Sequence, residues 1–140
     1  MRPLIERLQE RGCRITAQRR VIAEVFTGEH LHFTADEVLT AARTRLPEVS
    51  RATVYNTLNE FAAMGELLEV SHDDGKKRYD PNVGERHHHL VCVDCDRMLD
   101  VTAPDPTLAE SERHGFELLD VAVTFRARCP ECVSALSATN

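Results

Sequence analysis

Four of the five cysteines in this 140-residue chain come as two Cys-x-x-Cys pairs, Cys92/Cys95 and Cys129/Cys132, with 33 residues between the pairs. Four thiolates at that spacing surround one Zn²⁺ tetrahedrally once the two knuckles meet in space. The competing readings are a pair of redox disulfides, or buried thiols with no ligand role. Zinc is preferred, because two such pairs seldom arise by chance and nothing in the sequence suggests export. The gap exceeds that of an ordinary zinc ribbon, so the metal would clamp a small folded segment. Such a site is structural, since four sulfur ligands leave no open position for water or substrate.

Charge points to a partner only when it is read locally. The net charge of −6 argues against nucleic acid, but it is unevenly spread. Residues 1–80 hold 12 Lys/Arg against 13 Asp/Glu, while residues 81–140 hold 5 against 10. Arg11, Arg14, Arg19 and Arg20 lie in a ten-residue stretch with no acid. A phosphate backbone would meet that patch rather than the average. An ordinary solvated face is the alternative. No apolar run approaches the ~18 residues of a membrane span. An acid already at Glu6 does not suit a secretory signal. The expectation is a soluble, cytoplasmic protein with no membrane partner.

The first 66 residues read as helices. Leu4, Ile5 and Leu8 form an apolar stripe that stops at Gly12, and Thr16 caps a helix carrying Val21, Ile22, Val25 and Phe26 to Gly28. Thr34-Ala35-Asp36-Glu37 is a capping box, followed by Val38, Leu39 and Ala42 and closed by Pro47. Ser50 caps a fourth helix, with Val54, Leu58 and Phe61 at helical spacing and Gly65 as terminator. Leu67 to Val70, a turn at Asp73-Asp74-Gly75, and Lys76 to Tyr79 read as a β-hairpin. Short helices followed by a basic-tipped hairpin are the layout of a winged helix-turn-helix. Its recognition helix would span 51–64 and present Arg51, Ala52, Tyr55, Asn56 and Asn59 opposite the buried face. A helical protein-interaction module is the other reading of the same pattern.

The second half reads as β-rich. Strands are expected near His87–Cys92, Met98–Val101 and Glu117–Arg126, with a helix after Asp105-Pro106 that carries Leu108 and ends at Gly115. Some 60 residues with few aromatics build little core, so zinc and a dimer interface are expected to supply the deficit. The fold class is α+β: an N-terminal winged helix-turn-helix (1–80), a hinge (81–84) opened by the Asp80-Pro81 step, and a small α/β dimerisation domain with a structural zinc site (85–140). His87-His88-His89 adds a second constellation. On a strand His87 and His89 share one face while His88 takes the other, so the pair is either half of a metal site or a polar edge. Taken alone, His32, Asp80 and Asp100 read as structural or surface residues.

These motifs converge on a resemblance. Arg14-Ile15-Thr16-Ala17-Gln18-Arg19, His32-Phe33-Thr34-Ala35-Asp36-Glu37, Ser50-Arg51-Ala52-Thr53-Val54-Tyr55, Arg78-Tyr79-Asp80, His87-His88-His89-Leu90-Val91-Cys92 and both cysteine pairs resemble the ferric uptake regulator family over roughly residues 4–132. The resemblance implies a homodimeric, metal-dependent repressor of a double-stranded DNA operator. It implies a regulatory metal held by His32, Asp80, His87, His89 and Asp100, beside the structural Zn²⁺ of Cys92, Cys95, Cys129 and Cys132. It also implies DNA contacts from Arg14, Arg19, Arg51, Tyr55 and Asn56. Asp100 and Asn56 are similar to the peroxide-sensing branch, in which His32 and His87 are the ligands marked for oxidation. Leu119-Asp120-Val121 departs from members that carry a histidine there, so a third metal site from His88 and Asp120 is not expected.

Ligand chemistry leads the same way. Imidazoles and carboxylates suit Fe²⁺ or Mn²⁺ better than an all-sulfur site does, and five ligands leave an octahedral position for H₂O₂. The alternative is an iron, manganese or zinc uptake regulator of the same family without peroxide sensing. An enzyme is not expected: the chain has no His-Glu-x-x-His and no His-x-Glu. Cys13 reads as an inert thiol, although Arg11 and Arg14 beside it would favour the thiolate.

Overall fold

The computed structural model describes residues 2–27, 32–71, 75–84 and 86–138. The chain divides into two compact units, Met1–Glu85 and Arg86–Asn140.

The first unit contains α1 (Leu4–Glu10), α2 (Ala17–Val25), α3 (Ala35–Arg43) and α4 (Arg51–Ala63), with short strands β1 (Phe33–Thr34), β2 (Leu68–Ser71) and β3 (Lys77–Asp80). Three of these helices begin on a hydroxyl that accepts a backbone N–H: Thr16 from Arg19, Thr34 from Glu37 and Ser50 from Thr53. Each satisfies an otherwise orphaned donor, worth about 1 kcal/mol. At Thr34 the Glu37 carboxylate also accepts the Thr34 N–H, which completes the capping box. α1 and α4 end alike. Gly12 (φ 76°) and Gly65 (φ 78°) take the left-handed turn, and the next N–H bonds back to Leu8 or Phe61. Buried between the helices are Leu8, Ile22, Val38, Val54, Leu58 and Phe61, all at 0% exposure.

Several expectations need correction here. α3 stops at Arg43 with Thr44 as its C-cap, so Pro47 falls in the following turn and does not close the helix. β1 was not foreseen, and it completes a three-stranded sheet of order β1-β3-β2. Asp80 is the last residue of β3, inside the sheet. Gly28 and the Asp73-Asp74 part of the turn lie outside the described residues.

The second unit contains β4 (His88–Cys92), β5 (Met98–Val101), β6 (Thr124–Ala127) and α5 (Pro130–Ala138). Its sheet has the order β5-β4-β6, with β4 antiparallel to β5 and parallel to β6. The helix expected after Asp105 is reduced to a single 3₁₀ turn at Glu110–Glu112. Pro104 and Pro106 remove two donors, and the Asp105 carboxylate is bound to Arg86 and His88 rather than to a helix start. The strand expected over Glu117–Arg126 pairs only from Thr124, because β4, its one neighbour, enters the register at His89. α5 was also unforeseen: Pro130 occupies its first position and Glu131 its first turn. No helix among the described residues is long and apolar enough to cross a membrane.

Candidate metal centres and DNA-facing helix

The four paired cysteines come together. Cys92 closes β4, and the chain turns back through Asp96, whose φ is 63° and whose N–H bonds to the Cys92 carbonyl at 3.0 Å. Two residues past β6 stands Cys129, brought to Cys92 by the parallel pairing of Cys92 with Ala127. Cys132 follows in the first turn of α5. Their sulfurs all lie within 4.8 Å of one another, and Cys95 Sγ is 3.8 Å from Cys129 Sγ. Bonds of about 2.3 Å to a tetrahedral Zn²⁺ would separate the sulfurs by about 3.8 Å. A disulfide needs about 2.05 Å, and all five cysteines are free. The donor set therefore fits zinc and not a disulfide pair. Ion pairs Arg97–Glu131 and Arg128–Asp94 tie one knuckle to the other.

The thiols are not equivalent. N–H groups of Cys129 and Cys95 point at the Cys92 sulfur and pull its pKa down to about 6. Cys132 is pushed upward, first by its contact with Cys129 and then by burial. Four thiolates cannot gather here without a cation between them.

Imidazole and carboxylate donors pair within each unit. In the first, Phe33 faces Tyr79 across the β1–β3 ladder, and one step further that register sets His32 opposite Asp80. His32 Nε2 lies 3.1 Å from Asp80 Oδ2, with the two side chains 0% and 1% exposed. The Asn82 N–H donates to the other carboxylate oxygen at 2.8 Å. In the second unit, His89 faces Asp100 directly across β4–β5, and His87 is on the same face two residues earlier. Asp100 Oδ1 is 3.3 Å from His87 Nε2 and 3.6 Å from His89 Nε2, and the two rings sit edge to face at 4.9 Å. Both groups offer only nitrogen and oxygen donors, the set that Mn²⁺ and Fe²⁺ accept.

His88 points the other way and is already engaged. The Val123 N–H donates to its Nδ1 at 3.3 Å, so Nε2 carries the proton and donates to Asp105 at 2.8 Å. Arg86 reaches both Asp105 (2.8 Å) and Asp120 (3.4 Å). The Arg86 guanidinium thus bridges Asp120 and the carboxylate that His88 already bonds. The sequence marks His88 and Asp120 as a doubtful metal pair and Asp105 only as a helix start, and it gives Arg86 no role. The only signal for the Arg86–Asp105 pairing was their charge, since they meet through the fold of the loop.

The helix expected to read DNA, α4, buries Val54, Thr57, Leu58 and Phe61 and exposes Arg51, Ala52, Tyr55 and Asn56. Asn59 is partly committed, accepting from the Tyr79 hydroxyl at 3.1 Å. The basic patch is less bare than its sequence. Arg11 pairs with Glu66, Arg19 with Glu60 and Arg20 with Glu24, while Arg51 pairs with Asp36. Arg14 remains exposed. Cys13 packs against the core, and Arg19 Nη1 approaches its sulfur to 3.8 Å.

Comparison with known proteins is decisive at the family level. The Ferric uptake regulator family profile matches residues 10–126. The chain belongs to that family. It is 35% identical to the peroxide-responsive repressor PerR of Staphylococcus aureus (strain USA300) over 133 residues, 91% of this chain and 88% of that protein. Among solved structures, a zinc-bound manganese uptake regulator is 28% identical with a TM-score of 0.73, covering 91% of this chain and 99% of its own. The ferric uptake regulator of Francisella tularensis with iron is 25% identical with a TM-score of 0.69, covering 86% and 94%. Membership of the ferric uptake regulator family makes the chain a metal-dependent transcriptional regulator and not an enzyme. It has the family's α+β fold, with an N-terminal helical DNA-binding domain and a C-terminal α/β dimerisation domain that carries the four-cysteine cluster. Regulators of this family bind DNA operators as dimers.

Proposed function

We propose that this regulator is a cytoplasmic, peroxide-responsive repressor that binds its operator as a homodimer when a regulatory metal is present. The observation that carries this reading is the pair of sulfur-free donor groups, His32–Asp80 and His87–His89–Asp100, in a chain 35% identical to PerR. The five residues would hold one Fe²⁺ or Mn²⁺. One group belongs to the DNA-binding unit and the other to the dimerisation unit, so a metal taking donors from both would select one arrangement of the two units. Moving such a two-state equilibrium from 1:99 to 99:1 takes about 5.5 kcal/mol of differential binding. An Fe²⁺ held by these residues would promote cleavage of H₂O₂, one peroxide oxygen being added to the His32 or His87 ring and the other leaving as water, with the electron lent by the iron returned by the ring. Loss of a ligand would then release the operator.

Zn²⁺ held by Cys92, Cys95, Cys129 and Cys132 is proposed as structural. Exposed Phe116 and Leu119, at 80% and 85%, would be covered by a second copy. On DNA, Tyr55, Asn56 and Arg51 would read base edges, while Arg19 and Arg14 meet phosphates and the neighbouring groove.

The test is anaerobic reconstitution with Fe²⁺ or Mn²⁺, exposure to H₂O₂, peptide mapping and operator binding. The expected result is one added oxygen on each of His32 and His87 and loss of binding in the Fe²⁺ form only. Intact histidines with retained binding would favour the second reading, a metal-uptake regulator, which the similarity to manganese and iron regulators supports. Release through a disulfide at Cys13 or a zinc cysteine would point to a thiol switch.

A further inference from the structure

Arg7 lies on α1, far in sequence from every proposed metal ligand, and its side chain is only 11% exposed. One end of its guanidinium (Nη1) donates to Glu66 Oε2 at 2.6 Å, and the other (Nη2) donates to the Pro81 carbonyl at 2.9 Å. Glu66 is the residue just past the glycine that ends α4, and its N–H bonds back to Phe61 in that helix. Its other carboxylate oxygen is held by Arg11 at 2.6 Å. Pro81 is the residue after Asp80. Between them the two bonds connect the end of the DNA-facing helix to the backbone carrying a candidate metal ligand. A second tie runs alongside, from the Tyr79 hydroxyl to Asn59 of α4.

A buried guanidinium is costly to maintain for packing alone. Burial pulls the Arg7 pKa down from its ordinary value, and Glu66 pushes back. A methionine would fill similar space without that opposition. What the guanidinium provides is fixed geometry, because its donors diverge in one plane and serve two acceptors at once. Lysine offers a point charge and cannot reproduce that fork.

We propose that Arg7 is a positioning residue for the Asp80 side of the regulatory site, holding the segment after β3 in register and linking it to α4. The inference rests on the reading of Asp80 as a metal ligand. Partners that orient ligands typically contribute 10- to 100-fold to metal affinity. Arg7→Lys should therefore weaken Mn²⁺ binding about tenfold, and operator binding at limiting Mn²⁺ should fall in step.

The experiment uses the full-length, zinc-loaded protein, with Mn²⁺ titrated by electron paramagnetic resonance of the free ion. Arg7→Lys, Glu66→Gln and Asp80→Ala are compared with the parent. Amide exchange at Asn82, whose N–H is bonded to the Asp80 carboxylate, is read without Mn²⁺. Expected are faster Asn82 exchange and about tenfold weaker Mn²⁺ binding in Arg7→Lys, at unchanged zinc content and circular dichroism, with Asp80→Ala losing most binding. Glu66→Gln should move in the same direction and serves if Arg7→Lys does not fold. Parent-like Mn²⁺ affinity and Asn82 exchange in the folded Arg7 or Glu66 variant, with Asp80→Ala impaired, overturn the inference alone. Parent-like affinity in Asp80→Ala overturns the metal-site reading, and this inference with it.

Discussion

The two units of this regulator are stabilised by different means. Sixteen buried apolar residues form one cluster in the N-terminal unit, whereas the described residues of the C-terminal unit bury only Val91, Cys92 and Met98 among their hydrophobic side chains. Among the described residues, eight of the ten exposed large hydrophobics belong to the C-terminal unit, from Val93 to Leu136. The first unit removes its apolar surface from water within one chain. The second buries far less among its described residues, and its four-thiol cluster and exposed apolar residues fit the proposal that zinc and a second copy supply the difference. On the proposed reading, the DNA-binding unit is stable by itself, while the dimerisation unit would be completed by its zinc and a second copy.

Removing zinc should break this contrast most forcefully. Apparent binding energies of structural zinc are about 10–16 kcal/mol, more than a unit with so few buried residues can replace. Cys92→Ser should unfold residues 86–138 while the helical signal of the first unit persists, read by circular dichroism and amide exchange. A zinc-free dimer with protected β4 amides would sink the assignment. Acid provides a graded version. At pH 7 Cys92, near 6, is already mostly thiolate, but Cys132 is protonated in the metal-free state. Zinc binding therefore releases protons, and apparent affinity should rise about tenfold per pH unit for each proton displaced. Below pH 6 the slope should steepen as Cys92 also takes up a proton, which competition titrations across pH 5.5–8 would detect.

Next in size is a cavity in the self-sufficient unit. Phe61 is fully buried in α4. Phe61→Ala should cost about 3–5 kcal/mol in urea unfolding. Zinc content should not change, since the cysteines lie in the other unit. Zinc loss in parallel with the helical unfolding would show that the units fold as one.

The same contrast decides what could be read from the chain. In the first unit local signals and final packing agree. Thr16, Thr34 and Ser50 cap the helices their neighbours propose, and Val54, Leu58 and Phe61 fall on the buried face. β1 escaped because two residues carry no periodicity, and Phe33–Thr34 is a strand only through its pairing with β3. That strand is nevertheless what sets His32 opposite Asp80. In the second unit the cysteine pairs and the alternation of His87 and His89 were legible, being matters of spacing. The segment from Thr102 to Val123 was not. Asp105-Pro106 resembles a helix start, but the Asp105 carboxylate is taken by Arg86 and His88, which no local pattern announces. α5 escaped because Val133 and Leu136 remain 48% and 47% exposed within the chain and trace no buried stripe.

A smaller effect tests the uncovered surface. Leu119 is 85% exposed, so Leu119→Asp should leave the isolated chain folded and zinc-loaded. If a second copy covers it, a desolvated anchor replaced by a carboxylate should weaken dimerisation by about 2 kcal/mol or more. Sedimentation at micromolar concentration would then show monomer. An unchanged dimer would move the interface elsewhere.

The smallest expected change lies in the helical unit and sharpens the comparison from the other side. The Thr34 hydroxyl accepts the Glu37 N–H, and the Glu37 carboxylate accepts the Thr34 N–H. Thr34→Ala removes the first bond and leaves Glu37 N–H to water, a loss of about 1 kcal/mol. Sixteen packed residues should absorb that without unfolding, so the urea midpoint shifts while zinc content and dimerisation stay as they were. Thr34→Ser should restore most of the loss, because serine presents the same oxygen. Thr34 also follows His32-Phe33 on β1, where its backbone pairs with Arg78. That pairing uses main-chain groups and survives the substitution. Mn²⁺ affinity should therefore change far less in Thr34→Ala than in Asp80→Ala. Equal losses would mean that the cap, and not the β1–β3 register, fixes where His32 meets Asp80.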